Sequence, residues 1–273
     1  MTDARIAATA GSLERTGRRW WSGSAAASDR LFSALGLLSF VALWWLGSVT
    51  SDFVPPIGEV LDAVPSFLTE EDIYGDITDS LTRVVGSLAI AVLLGFWAAY
   101  LMARRGFWGL VVARYVDLAI GLPSTIAALL ALFIFKRSEV GVFVVVTIAC
   151  FPFVAITLRQ GFLSLDRRLT EMGGVYRLGA VAQIRNVSIP HLVPYTLASV
   201  RNEYAHAWRV VVIAELFAVN SGIGWRFTQA YDRFLLVDVS LWLLVFISIL
   251  LGTEYLILRP LERWVLRWRE GKL

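Results

Sequence analysis

Six stretches of about 20 mostly apolar residues constrain the fold of this chain more than any other feature. A helix rises ~1.5 Å per residue, so one stretch can cross the ~30 Å hydrocarbon layer of a membrane. Composition agrees, because 57% of the residues are hydrophobic and only 17% are charged. A soluble globule cannot bury that much apolar surface. We therefore predict an all-α, polytopic membrane protein. Its six predicted transmembrane helices are 31–49, 82–102, 112–135, 140–158, 194–219 and 239–258.

Arginine and lysine residues indicate which side of the membrane each connection occupies. If the N-terminus lies inside, 18 of them fall on the cytoplasmic side and 5 on the other. Cytoplasmic loops carry the basic excess, so both termini are predicted to be cytoplasmic. The predicted parts are a mobile cytoplasmic segment 1–30, a transmembrane domain 31–258 and a cytoplasmic basic tail 259–273. Because the basic residues sort by membrane side rather than gathering on one soluble face, nucleic acid is not expected as a partner.

The acidic external connection contains an amphipathic segment, 54–80. After Pro55 and Pro56, apolar residues recur at helical spacing from Ile57 to Leu68. Two interpretations are compatible with this pattern. The segment is either a helix that lies at the lipid headgroups or a docking surface for an external partner.

The cytoplasmic connection 159–193 is long for a simple hairpin. Asp166 is a competent helix N-cap, and an apolar stripe at helical spacing follows it. A second short apolar pattern ends at Pro190, and proline disfavours continuation of a helix. We predict two short helices with a bend and an apolar face. Neither is long enough to be stable alone, so they must pack on something. The alternative is a solvated loop whose apolar residues lie on the membrane surface.

The fifth predicted span carries an unusual set of polar side chains. On a helical projection Asn202, Glu203, His206 and Arg209 form a stripe about 120° wide. Ionisable residues in hydrocarbon cost ~2.5–3.5 kcal/mol each on insertion scales, so the stripe should face protein or water. It is either the lining of a water-filled translocation pathway or an ion-paired belt near the cytoplasmic interface.

No pattern in the sequence indicates catalysis. The two histidines are too few for most metal sites, and the only cysteine, Cys150, is interpreted as a packing residue. A GxxxxGK[ST] phosphate loop is absent, because neither Lys136 nor Lys272 is followed by Ser or Thr. We therefore expect no metal, no cofactor bound by this chain and no ATP hydrolysis by it. If the chain uses energy from ATP, a partner must hydrolyse that ATP.

One sequence motif resembles a motif of a known protein family. Asp166-Arg-Arg-Leu-Thr-Glu171-Met-Gly, followed by Val187-Ser-Ile-Pro190, resembles the EAA loop of ABC importer permeases. Similar stretches include Val54-Pro-Pro-Ile-Gly-Glu-Val and Ser221-Gly-Ile-Gly224, which resemble the nitrate, taurine, sulfonate and thiamine-precursor branch. The resemblance covers roughly residues 52–268. It implies ATPase-coupling roles for Asp166, Leu169, Glu171, Met172, Gly173, Tyr176, Arg177, Gly179 and Pro190. It also implies structural roles for Arg201, Trp208, Glu215, Gly222 and Gly224.

The resemblance implies a function and a set of partners. The chain would be the permease subunit of an ATP-driven importer in the cell inner membrane. It would pair with a second permease copy, identical or not, with two ATPase subunits that bind ATP and Mg²⁺, and with an external solute-binding protein. The expected substrate is a small polar solute: an anion such as nitrate, taurine or another sulfonate, or a thiamine-related pyrimidine. The alternative is a secondary transporter or channel that works without an ATPase.

Overall fold

A computed structural model describes residues 32, 35–36, 38–104, 106–135, 138–166, 168, 171–172 and 179–270. The regular structure of these residues is helical and contains no strand, so the prediction of an all-α protein is confirmed. The predicted mobile segment 1–30 and the last residues of the basic tail, 271–273, lie outside the described residues. The chain divides into two compact units, Met1–Ala63 and Val64–Leu273.

The first unit contains an apolar helix, α1 (Leu38–Thr50), and the start of α2 (Ile57–Leu68). The indole N–H of Trp44 donates a hydrogen bond of 3.1 Å to the carbonyl oxygen of Pro55, so the connection folds back on α1. The position of α2 agrees with the helical spacing expected after Pro56.

The second unit is built from helices. These are α3 (Glu71–Ala103), α4 (Phe107–Gly121), α5 (Ser124–Phe135), α6 (Glu139–Leu163), α7 (Ala180–Gln183), α8 (Ile189–Ala218), α9 (Ile223–Asp232), α10 (Leu236–Gly252) and α11 (Arg259–Glu270). Two π-helical segments, Ile184–Ser188 and Thr253–Leu258, join α7 to α8 and α10 to α11.

Within the described residues, three helical segments are long and apolar enough to cross a membrane. They are Asp72–Ala103, Glu139–Leu163 and Leu236–Arg267, and they contain the predicted second, fourth and sixth spans. A fourth candidate, Ile184–Ala218 with Ile223–Asp232, is bent by 56° and contains nearly all of the predicted fifth. The number of six spans and the orientation of the termini stay predictions.

The predicted third span, 112–135, is not one continuous helix. It is divided between α4, of 15 residues, and α5, of 12 residues. The break is at Leu122, whose backbone is extended with φ −83° and ψ 130°. Leu122 precedes Pro123, and the proline ring disfavours helical backbone in the residue before it. Hydropathy shows this region as a single apolar run and does not reveal the break.

Several helices also extend beyond the predicted boundaries. Residues 71–81 were assigned to the external connection but belong to α3, whose 33 residues are ~50 Å long. The start of the predicted cytoplasmic connection, 159–163, belongs to α6. The predicted basic tail is helical as far as Glu270. Each extension contains charged residues that lower its mean hydropathy, so hydropathy alone does not show it.

Pro190 does not end a helix, contrary to expectation. It is the second residue of α8 and follows a π-helical segment, and such local widening accommodates a residue that has no N–H to donate. The preceding turn is widened to π geometry, with the N–H of Ile189 donating to the carbonyl oxygen of Ile184. The helix therefore continues from α7 into α8.

Helix α6 packs between α3 and α8 and forms the centre of the second unit. Two glycines permit the close approach. A Cβ at Gly95 of α3 would lie 2.6 Å from Val154 Cγ1, and a Cβ at Gly161 of α6 would lie 2.8 Å from the ring of Tyr195. This packing brings the start of α3, the start of α6 and the end of α8 together at one end of the unit.

Candidate functional site

A buried arginine joins three helices at that end. Arg83 of α3 is 3% exposed and makes two hydrogen bonds to Glu139 of α6, of 2.9 and 2.7 Å. Its Nη1 donates to Glu215 Oε1 of α8 at 2.7 Å. Two parallel bonds from a guanidinium to a carboxylate fix both distance and orientation. We refer to Arg83, Glu139 and Glu215 as the arginine cluster.

The arginine cluster continues into the start of α9. The N–H of Gly222 donates to Asp76 Oδ1 at 2.7 Å, and the N–H of Gly224 donates to Glu215 Oε2 at 2.9 Å. The first N–H groups of a helix have no partner within the helix, and negative charge is favourable near them. Carboxylates on α3 and α8 therefore hold the start of α9.

Two further contacts complete this connection. Ser80 Oγ lies 2.8 and 2.9 Å from the two carboxylate oxygens of Glu215, and it accepts from the N–H of Ile223 at 2.9 Å. Arg226 Nε donates to Asp76 Oδ2 at 2.5 Å. The predicted family positions Glu215, Gly222 and Gly224 thus share one hydrogen-bonded network.

The polar stripe of α8 divides into two parts. Glu203 is 7% exposed, and one of its oxygens lies 2.9 Å from His206 Nδ1. Cys150 of α6 is fully buried beside this pair, and one ligand atom from each of the three residues lies within 4.8 Å of the others. The ring of Phe153 packs edge-on against His206, with centroids 5.5 Å apart.

Asn202 and Arg209 form the other part of the stripe. Both are exposed in this chain. Arg209 Nε donates to the backbone oxygen of Ala205 at 3.1 Å. Among the described residues no carboxylate lies within ion-pair distance of Arg209, so its charge remains available at the surface of α8.

Arg201 and Trp208 lie on other faces of α8. Arg201 donates to Glu254 at 2.6 Å and to Glu262 at 2.8 Å, which connects α8 to the C-terminal helices. Trp208 is fully buried, with its ring centroid 5.8 Å from that of Phe246. Within the stripe, Glu203 contacts His206, whereas Asn202 and Arg209 have no ion-pair partner among the described residues. Whether the stripe is a pathway lining or an ion-paired belt stays open.

The residues assigned to ATPase coupling are partly described. Asp166 is exposed and accepts from the N–H of Arg168 at 2.8 Å, a contact typical of an N-cap. Glu171, Met172 and Gly179 are also exposed. Pro190 lies in α8, and the other four positions lie outside the described residues: Leu169, Gly173, Tyr176 and Arg177.

The same connection is anchored where α6 ends. Ser164 Oγ lies 2.7 Å from Tyr195 Oη and 3.1 Å from His191 Nε2. His191 Nε2 also lies 3.0 Å from the carbonyl oxygen of Gly161. Ser164 and His191 therefore link the end of α6 to the start of α8.

The sequence did not reveal the role of the central member of the arginine cluster. Arg83 was counted for orientation, and the stretch Ser80-Leu-Thr-Arg-Val84 resembles the start of the second span of the family, but no role was predicted for Arg83, Glu139 or Asp76. A usable signal exists in the sequence, because Arg83 falls inside the predicted second span, where a charge needs a partner. The identity of that partner depends on how the helices pack.

Comparisons with known proteins give the chain a family. Residues 91–261 match the family described as binding-protein-dependent transport system inner membrane component. A probable ABC transporter permease protein of Brucella abortus is 28% identical over 242 residues, covering 86% of this chain and 96% of that protein. The taurine transport system permease protein of Escherichia coli is 26% identical over 253 residues, covering 88% and 91%.

A solved chain described as an amino acid ABC transporter with histidines has the same fold. It matches with a TM-score of 0.59 at 18% identity, covering 78% of this chain and 99% of that one. The family match spans most of the chain and includes α6, α8 and α9. This protein therefore belongs to the family of inner membrane components of binding-protein-dependent transport systems.

Proposed function

We propose that this chain is the permease subunit of an ATP-driven importer in the cell inner membrane. The family match over residues 91–261 carries the proposal. A second permease copy, identical or not, completes the translocation pathway. Two ATPase subunits bind ATP and Mg²⁺ on the cytoplasmic side, and a solute-binding protein delivers the substrate from outside. The chain itself hydrolyses no ATP.

The segment from Asp166 to Gly179 is the proposed contact with the ATPase. Its described members Asp166, Glu171 and Met172 are exposed, as a docking surface requires. Ser164 connects this segment to α8 through Tyr195 and His191. ATP binding closes the ATPase pair and moves the segment, so the ends of α6 and α8 move with it. Nucleotide thus shifts the population between inward-open and outward-open states.

Replacing Glu171 with alanine tests the coupling role. We expect the Glu171→Ala permease to insert and fold normally, while substrate-stimulated ATP hydrolysis and uptake fall at least about tenfold, the effect of losing ~1.4 kcal/mol of interaction. The measurement is ATPase activity and uptake by the complete importer in proteoliposomes. Glu70→Ala removes an exposed carboxylate at the start of α3, far in sequence from the proposed ATPase contact, and as the matched control it should retain ATPase activity. Full uptake by Glu171→Ala would contradict the coupling role of this residue. Uptake by the permease without any ATPase would contradict the proposal as a whole and favour a secondary transporter or channel.

We propose a small anion as the substrate, with Asn202 and Arg209 facing the pathway and the Glu203–His206 pair behind them. Arg209 supports this because its exposed guanidinium meets no carboxylate among the described residues. The taurine transport permease of Escherichia coli supports it as well, because taurine is a sulfonate. Nitrate and other sulfonates carry a negatively charged oxyanion group, as taurine does, and Arg209 would pair with that group. A thiamine-related pyrimidine is the competing substrate.

Neutralising Arg209 tests the pathway. A hydrogen bond to a charged group contributes ~1.5–3 kcal/mol, so Arg209→Leu should weaken anion transport about tenfold or more. Arg209→Lys keeps the charge and is expected to retain most of the transport. The measurement is the concentration dependence of uptake in proteoliposomes at a saturating level of binding protein. If Arg209→Leu transports with unchanged rate and affinity, this residue is not part of the pathway.

A further inference from the structure

The buried group between α6 and α8 has the composition of a metal site. Cys150 offers sulfur, His206 offers imidazole nitrogen and Glu203 offers carboxylate oxygen. One ligand atom from each residue lies within 4.8 Å of the other two. In a tetrahedral zinc site, metal–ligand bonds of ~2.0–2.3 Å place neighbouring ligand atoms about 3.3–3.6 Å apart. Small side-chain rotations would close the remaining distance.

The positions of these three residues on α6 and α8 bring their side chains close together. Glu203 and His206 are three residues apart on α8, so they lie on the same face of the helix. That face packs on α6 where Cys150 is fully buried. Phe153 packs against the imidazole of His206 and restricts its ring orientation. Two packed helices therefore supply the three ligands, and only small side-chain adjustments are needed for metal binding.

The charges of the three ligands favour a divalent cation such as Zn²⁺. We propose that Cys150, Glu203 and His206 bind Zn²⁺ and thereby join α6 to α8. Zn²⁺ with a thiolate, a carboxylate and a neutral imidazole has no net charge, which suits a site buried among apolar helices. Cu⁺ with the same ligands would leave one negative charge. Mg²⁺ and Ca²⁺ prefer oxygen ligands and are disfavoured by the sulfur.

Binding requires one proton to leave. The S–H bond of Cys150 breaks, the sulfur–zinc bond forms, and the proton passes to water. The carboxylate and the imidazole nitrogen bind through existing lone pairs, so no electron transfer occurs. Three protein ligands leave the fourth tetrahedral position for a water molecule. This site goes beyond the proposed transport function and does not depend on it.

The composition of the chain makes the test specific. Cys150 is its only cysteine, so any thiolate-to-metal charge-transfer absorption in the untagged, purified full-length chain must come from this residue. We expect cobalt(II) titration to produce that near-ultraviolet band and zinc to abolish it by displacement. We also expect about one zinc per chain after dialysis, measured by mass spectrometry of the metal. Neither measurement depends on transport or on the ATPase.

Substitutions of the proposed ligands test which side chains bind zinc. Cys150→Ser removes the sulfur with little change in volume and should eliminate the cobalt band and weaken zinc binding at least tenfold. His206→Gln should weaken zinc binding comparably. The chain contains two histidines, so His191→Gln is the matched control and should bind zinc as the wild type does. Absence of the cobalt band in the folded wild-type chain would overturn the proposal, and so would unchanged zinc binding by Cys150→Ser.

Discussion

Replacing Arg83 with leucine is expected to destabilise the protein by ~3–5 kcal/mol, the usual effect of removing one partner from a buried ion pair. Glu215 is the main reason, because it is fully buried and would lose its only guanidinium partner among the described residues. Glu139 is more exposed and can be solvated. The measurement is unfolding of the purified permease in mixed micelles, followed by its tryptophan fluorescence.

The Arg83 prediction has two internal controls. Arg114→Leu removes an exposed arginine, 81% accessible and 3.7 Å from Asp117, and should cost less than ~1 kcal/mol. The double variant Arg83→Leu with Glu215→Met removes both buried charges and should recover part of the loss. Equal stabilities of the Arg83→Leu and Arg114→Leu variants would show that the arginine cluster does not stabilise the fold.

A valine at Gly222 is expected to cause the second large loss. Gly222 has φ of +104°, and forcing a side chain into such backbone costs ~1–3 kcal/mol. The added Cβ would also lie 2.5 Å from the carboxylate carbon of Glu215. The carboxylate would move away from α9 and from Arg83. We expect a lower melting temperature and loss of uptake, measured by thermal unfolding in detergent and by transport in proteoliposomes.

Gly75→Ala is the matched control for the Gly222 variant. Gly75 lies inside α3 next to Asp76, and nothing is within 4 Å of the position that its Cβ would occupy. Alanine in a helix interior is favoured over glycine by ~0.5–1 kcal/mol, so this variant should be as stable as the wild type or slightly more stable. A Gly222→Val protein with wild-type melting temperature and uptake would refute the role assigned to the turn before α9.

The sequence predicts the helical class and the apolar centres of the main spans because those properties are local. Hydropathy located the middle of α3, α6 and α10 correctly, yet it placed the start of α3 at residue 82 rather than Glu71. The missing turns contain several charged residues, and a search for apolar stretches excludes such residues. Pro123 and Pro190 show the same limit, since one breaks a predicted span and the other is tolerated in the first turn of α8.

The candidate sites depend on contacts between distant parts of the chain. The spacing of Glu203 and His206 placed them on one face of α8, but no pattern indicated that Cys150 lies beside them. Arg83 and Glu215 are 132 positions apart, and they meet only because α3, α6 and α8 pack together. Helical periodicity specifies which residues share a face. It does not specify which face of another helix they meet.

The glycine contacts along α6 have a consequence for movement. Sliding α6 by one turn along α3 would displace Val154 about 5.4 Å from the space that Gly95 provides, and a bulkier residue of α3 would then oppose it. A similar obstacle exists at Gly161 and Tyr195. Tyr195 belongs to α8, so helices α3, α6 and α8 should tilt together as one rigid body. Opening and closing would then take place at the borders of that body rather than by shear inside it.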